Sequence, residues 1–232
     1  MKKEINKPLC IIPARGGSKR LKNKGLALLD GKPLVEHAIE AAVGSGIFLH
    51  IIVTCDDEAV LEIAYDHFND GLVQPHKRSP NLARSDIPLR EVCLWILRTY
   101  DTNSKEFCLL IPNSPFRTAE DIKKTYKLFK KKNANYLISV KPFDAHPQMA
   151  LRMKNGYLKP RWGKANEQSY EQLYYEDGAI CWADTRAFVE EFQANFYGSK
   201  CLPYIMPHPT LEIHTPEDLE YAEYLWKKLK IK

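Results

Sequence analysis

Short apolar runs and segments of helical period take turns along this chain, and that alternation restricts its fold more than any other feature. The run "LCII" (9–12) leads through a glycine loop into "PLVEHAIEAAVGSG", where Leu34, Val35, Ala38, Ile39 and Ala42 recur at helical spacing and Gly44 and Gly46 supply the stop. "LHIIVTC", "FCLLI", "YLISV", "GAICWAD" and "CLPYIM" read as further strands. "DDEAVLEIAYDHF", "PLREVCLWILRTY", "TAEDIKKTYKLFKKK", "TRAFVEEFQANF" and "TPEDLEYAEYLWKKLK" read as helices, with Thr118 opening one and Thr215, Pro216 and Asp218 capping the last. Strands joined by helices imply right-handed crossovers and a parallel sheet covered on both faces. The expected fold class is therefore α/β, a Rossmann-like three-layer sandwich with a mainly parallel sheet.

Two stretches escape the rhythm. Residues 72–86 carry no clear element. Residues 142–176 hold several prolines and a hairpin turn at Asn155-Gly156, and read as a small inserted lobe serving as a dimer contact or a lid. The 232 residues fit one domain, 1–232, carrying that insertion. The net charge of +5 suits anionic small molecules and falls short of a nucleic-acid footprint, so no nucleic-acid partner is expected. The six cysteines form no CxxC pair, and most sit in apolar runs, as in a reducing compartment. With no apolar leader and no run of membrane-spanning length, the expected location is the cytoplasm, without a membrane partner.

The loop after the first strand carries the chemistry. In "CIIPARGGSKRLKNKG" the cations Arg15, Lys19, Arg20, Lys22 and Lys24 follow Pro13, and no acid appears before Asp30. Gly16 and Gly17 allow close backbone approach, and exposed N–H groups flanked by cations make a cradle for phosphate oxygens. A solvated basic loop is the plain alternative. Neither G-x-x-x-x-G-K-[ST] nor G-x-G-x-x-G is present, so a P-loop or nicotinamide reading has no support.

"IIPARGGSKRLKNKG" resembles the signature of the cytidylyltransferases that activate nine-carbon acidic sugars, the CMP-sialic acid synthetases and their legionaminate and pseudaminate relatives. "IIVTCDDEAV", "LARSDIPL", "LLIPNSPFRTAEDI", "YYEDGAICW" and "LEIHTPEDLEYAE" resemble further segments of that family in order. The resemblance implies a nucleotidyltransferase that moves CMP from CTP to the anomeric hydroxyl of an N-acylneuraminate or N,N'-diacetyllegionaminate, releasing pyrophosphate, with Mg2+ (or Mn2+) and as a homodimer. By it, Arg15, Lys19 and Lys24 serve catalysis at the triphosphate, helped by Gly16, Gly17 and Ser18. Arg78, Ala83, Ser85 and Asp86 line the base and ribose. Ser114 and Arg117 belong to the loop joining nucleotide and sugar pockets, His146 and Asp177 lie on the sugar side, and Glu212 and His214 occupy the metal slots.

This chain departs from the family in places. Its C-terminal segment usually reads Asp-Ile-Asp; here Glu212 and His214 stand in those slots, and imidazole suits magnesium poorly. That leaves open whether Glu212 does most of the work, the metal differs, or activity has weakened. The family's Arg-Gln pair before the substrate strand is missing, with Arg161 or Lys164 as candidate substitutes. His37, His50 and His67 read as surface or satisfied core residues. Other open readings are a pseudaminate or eight-carbon acceptor, against the latter of which the "ARGGSK" form counts, and a non-catalytic CTP-binding relative.

Overall fold

A computed structural model describes residues 7–18, 20–67, 71–100, 104–162, 170–191 and 196–229. In chain order the elements begin with β1 Leu9–Pro13, β2 Leu28–Leu29, β3 Lys32–Pro33, α1 Leu34–Ser45, β4 Ile51–Cys55, α2 Glu58–His67, β5 Val73–Lys77, α3 Pro80–Ala83 and α4 Leu89–Thr99. They continue with β6 Glu106–Leu109, α5 Ala119–Lys132, β7 Tyr136–Pro142, β8 Leu151–Lys154, β9 Tyr157–Pro160, β10 Tyr174–Asp184, α6 Thr185–Glu190, β11 Cys201–Ile205 and α7 Pro216–Leu229. Seven strands make one sheet in the order β11-β7-β10-β6-β1-β4-β5. All its pairings are parallel except those of β10, which runs antiparallel to β6 and β7.

The strands read as continuous apolar runs because both faces are buried. Cys10 and Ile12 of β1 enter one core with α1, α2 and α5, while Leu9 and Ile11 enter the other with α4 and α6. The same alternation splits Ile51 and Val53 from Ile52 in β4. Trp182, fully buried, stacks on Phe48 and donates its Nε1 to Thr125 Oγ1 across 2.9 Å, so its polar edge is satisfied. The Thr118–Asp121 capping box opens α5 as expected, and Thr215 and Asp218 exchange the equivalent bonds at α7. His37 is a satisfied core histidine: its Nε2 lies 2.8 Å from the Leu29 carbonyl and its ring meets Trp226 edge-on.

Residues 72–86, without an element in the sequence reading, hold the edge strand β5 and the single turn α3. Pro75 is tolerated in β5 because an edge strand has one side without ladder bonds. The expected helix over 185–196 ends at Glu190, and Glu191 is already extended. Within 142–176 the turn is as read: Asn155 (φ 52°) and Gly156 (φ 78°) both adopt positive φ, the I′ geometry that joins β8 to β9. The ends of that interval stay in the main sheet, where Tyr174 pairs with Pro142 and Glu176 with Val140.

Candidate active site

β1 and β6 are neighbours from which the chain continues towards opposite edges of the sheet, to β4 and to β7, the arrangement that opens a crevice at the strands' carboxyl ends. The glycine loop leaves β1 there. The Gly16 N–H donates to Asp56 Oδ1 across 2.9 Å, and the Ser18 N–H donates to the Gly16 carbonyl. A Cβ on Gly16 would lie 3.0 Å from the Asp57 side chain, so any other residue there would have to push Asp57 aside. Asp57 also accepts from the Ala59 N–H at the start of α2. Two of the amides expected to face phosphate are thus spent inside the protein, and the loop presents side chains instead.

Those side chains line a cleft of about 430 Å³. Arg15, Ser18, Arg20 and Lys24 face Ile111, Pro112 and Asn113 from the loop after β6, with Ser85 beside them. No carboxylate is among the described lining residues. Burial, then the neighbouring Arg20 and Arg15, hold the Lys24 ammonium below its usual range, against the pull of Glu212 and Asp218. An anion in the cleft relieves that cost, which makes the site a receptor for clustered negative charge.

Glu212 and His214 meet this cleft from the segment before α7. Asn113 Nδ2 donates to Glu212 Oε1 across 3.2 Å, and His214 Nε2 lies 3.3 Å from Glu212 Oε2. On the ring's other side, Nδ1 faces Arg20 Nη2 at 3.2 Å and Lys24 Nζ at 3.4 Å. Cations can only donate, so Nδ1 accepts and Nε2 carries the proton towards Glu212. Both ring nitrogens are engaged, and the imidazole has no lone pair left for a metal. Among the described residues no cluster of three or more His, Cys, Asp or Glu could hold an ion. Glu212 alone fits the hard-oxygen requirement of magnesium, which binds through one or two carboxylates when phosphates complete its shell.

The remaining predicted residues divide sharply. Arg117 is 3% exposed and donates to the carbonyls of Ile111 and Ser114, so it shapes the loop after β6. Ser114 is also buried and donates to the Asp177 carbonyl. The Asp177 carboxylate accepts from Ser139, Ala179 and Thr210. Arg78 is buried and donates to the Thr54 carbonyl. None of these four lines the cleft. Asp86 pairs outward with Arg84, His146 stacks on Tyr170 in the exposed interval after β7, and Ala83 closes α3; none of them lines the cleft. Arg161 is exposed over the Trp162 ring, and the expectations for Lys19 and Lys164 lie outside the described residues.

Sequence reasoning counted Arg20 among the loop cations without foreseeing its contact with His214, and assigned no role to Asn113 or Gly178. Gly178 sits at the irregularity of β10 with φ +67°, and a Cβ there would lie 2.9 Å from Ser114 Oγ and 3.3 Å from the Glu212 carboxylate. The glycine in "EDGAIC", interrupting a strand pattern, was the available signal for a bulge.

The sequence profile described as cytidylyltransferase matches residues 9–231. A pseudaminic acid cytidylyltransferase of Campylobacter jejuni is 28% identical, covering 95% of this chain and 97% of the relative. The CMP-N,N'-diacetyllegionaminic acid synthase of Legionella pneumophila is 29% identical, covering 94% and 95%. An N-acylneuraminate cytidylyltransferase of Escherichia coli is 32% identical over 96% of this chain but only 52% of its own length. A solved CMP:2-keto-3-deoxy-manno-octonic acid synthetase complexed with CTP shares the fold, with a TM-score of 0.67 over 96% of this chain and 99% of the other at 16% identity. With a cation-lined cleft at the carboxyl ends of its parallel strands and a profile match spanning nearly every residue, the chain belongs to the cytidylyltransferase family.

Proposed function

We propose that this protein transfers CMP from CTP to the anomeric hydroxyl of a nine-carbon acidic keto sugar, releasing pyrophosphate. The observation that carries the reading is the cleft itself: Arg15, Arg20 and Lys24 converge on it, and no described carboxylate lines it. Attack at the α-phosphorus shifts charge onto the bridging and non-bridging oxygens, where preorganised cations stabilise it most. Arg15 can grip a phosphate bidentately, and Lys24 acts as a point charge whose burial is relieved as that negative charge develops. Ser18 and Ser85 offer hydroxyls to the nucleotide, while the Arg117-braced loop keeps Pro112 and Asn113 in place opposite the cations. When bound, a magnesium ion held by Glu212 and the triphosphate oxygens would neutralise phosphate charge. His214 serves this site as a bridge that orients Arg20 and Lys24 towards Glu212.

N-acylneuraminate and N,N'-diacetyllegionaminate are the first acceptors to try, in keeping with relatives carrying those names. Pseudaminate is the second reading, favoured because the Campylobacter relative of that name aligns over nearly the whole of both chains. A cytoplasmic setting accords with this donor and with six cysteines that all remain free thiols. Among the described residues no helix is long and apolar enough to cross a membrane.

We further propose a homodimer. Met153 (75% exposed) and Tyr157 (74%) on the β8–β9 hairpin, with Leu151 and Leu158, leave an apolar surface on a two-stranded ribbon that is weak alone in water. Light scattering of the wild type against Met153→Lys tests it: a dimer that becomes a monomer supports pairing through the hairpin, and a wild-type monomer rejects it.

The activity is tested by pyrophosphate release from CTP with each of the three sugar acids, in magnesium and in manganese. Release with one acid fixes reaction and acceptor together. CTP binding without release from any acid points to a non-catalytic relative.

A further inference from the structure

Glu212, the carboxylate that fits a magnesium ion, stands in a setting built by other parts of the chain. Ile213 beside it is fully buried among Leu29, Leu34, Phe116 and Trp226, which anchors the segment before α7 in the core. Phe116 comes from the loop between β6 and α5, so that loop and this segment share one core. The Ile213 N–H also donates to the Asn113 carbonyl across 2.7 Å, which holds the two stretches side by side. Glu212 and His214 flank the buried residue, and the Glu212 side chain stays 35% exposed.

Asn113 adds a contact from its side chain. It is only 6% exposed, although it lines the cleft. A carboxylate only accepts hydrogen bonds, so the amide turns its Nδ2 to Glu212 Oε1, 3.2 Å away. His214 Nε2 meets the other oxygen at 3.3 Å. On a further side lies Gly178, where a Cβ would come within 3.3 Å of the same carboxylate. Each oxygen of Glu212 thus meets one donor, and each keeps room to accept again.

A glutamate side chain is rich in rotamers, and holding it for a cation costs entropy unless its neighbours already hold it. The two donors differ in how far they serve that end. His214 divides its ring between Glu212 and the cations Arg20 and Lys24. The bond from the Asn113 amide, among the described residues, goes to Glu212 alone. Partners of this kind behind a ligating carboxylate are typically worth tenfold to a hundredfold in metal affinity. Because Arg20 and Lys24 stand beside the pair, a bare divalent cation meets like charge here, whereas one that arrives with a triphosphate does not.

Resting on the activity proposed above, we infer that Asn113 is a positioning residue, its amide holding the Glu212 carboxylate in the orientation that receives a divalent cation carried by the triphosphate. Titration calorimetry of CTP without any acceptor, in EDTA and over a series of magnesium concentrations, tests it apart from turnover. For Asn113→Ala the magnesium concentration that half-maximally strengthens CTP binding should rise about tenfold to a hundredfold. Its affinity for CTP in EDTA, which the cleft cations provide, should match the wild type. Glu212→Ala should lose the magnesium effect, and adding Asn113→Ala to it should change nothing more, because the amide acts through that carboxylate. If Asn113→Ala does not fold, Asn113→Leu carries the test, since it keeps the volume and loses the donor. An unchanged magnesium requirement, an equal weakening in EDTA and in magnesium, a further loss in the Glu212→Ala background, or a wild type whose CTP binding ignores magnesium each overturns the assignment. None of these results touches the transferase reading, which falls instead if no acid yields pyrophosphate.

Discussion

The loop after β1 and the loop after β6 both border one cleft and both carry arginine and serine, yet they use them in opposite ways. After β1, Arg15, Arg20 and Lys24 stand in the cleft with no carboxylate paired to them among the described residues. After β6, Arg117 and Ser114 are buried and tied to main-chain carbonyls. Residues of one chemical type thus divide into those that face the cleft and those that are tied into the protein beside it. Partners and burial make the division, and each can be broken separately.

The largest effect is expected where a cation lacks a carboxylate partner. Lys24→Ala should lower turnover by about two to three powers of ten, as for loss of one preorganised charge-stabilising group, with the melting temperature nearly unchanged. Assaying pyrophosphate release beside a thermal melt checks both halves. Arg117→Met should show the reverse emphasis. Leaving the carbonyls of Ile111 and Ser114 without their buried donor costs about 2–3 kcal/mol. At roughly 2–4 °C per kcal/mol for a chain of this size, the melting point should fall by about 4–12 °C. An Arg117→Met protein that melts like the wild type yet loses turnover would move Arg117 from the wall to the ligand. Gly178→Ala is expected next, at about 1–3 kcal/mol, because it combines positive φ with a Cβ 2.9 Å from Ser114 Oγ. Calorimetry measures that loss directly.

The smallest effect depends on pH. His208 Nε2 donates to Asp121 Oδ2 across 2.8 Å, tying the cap of α5 to the segment that leads to Glu212. The Asp121 hydrogen bond raises the His208 pKa against the cost of burial. Burial works against the Asp121 carboxylate, but hydrogen bonds from His208 and Thr118 hold it below its usual value. A raised histidine contributes stability below its unfolded value of 6.5 and loses it as pH rises through the folded value. Asp121 contributes above its own unfolded value and loses that contribution as pH falls through the folded one. Stability should therefore decline by about 1 kcal/mol as pH rises from near 6.5 through the raised His208 value, and His208→Ala should remove the decline. Denaturant melts at a series of pH values decide it.

The strand–helix alternation was legible because both faces of each central strand are buried, which writes apolar runs such as "LCII" and "YLISV" into the sequence. β5 was not, since an edge strand reading "VQPHK" lacks both the run and a full ladder. The cationic loop was legible from its charges. What its amides do was not, because Asp56 reaches Gly16 from forty residues away and no local pattern records that bond. For the same reason Glu212 and His214 were seen as a pair in the metal slots, while Arg20, Lys24 and Asn113, which contact that pair, meet them only in the folded chain.

Whether the cleft cations exist for a triphosphate is tested most directly by titration calorimetry of CTP against the wild type and against Arg15→Ala/Lys24→Ala, at low and high salt. One-to-one binding that weakens with salt, and is lost in the double variant while its melting point holds, is the expected result. Binding of equal strength in both proteins would contradict it and return the loop to a solvated basic surface.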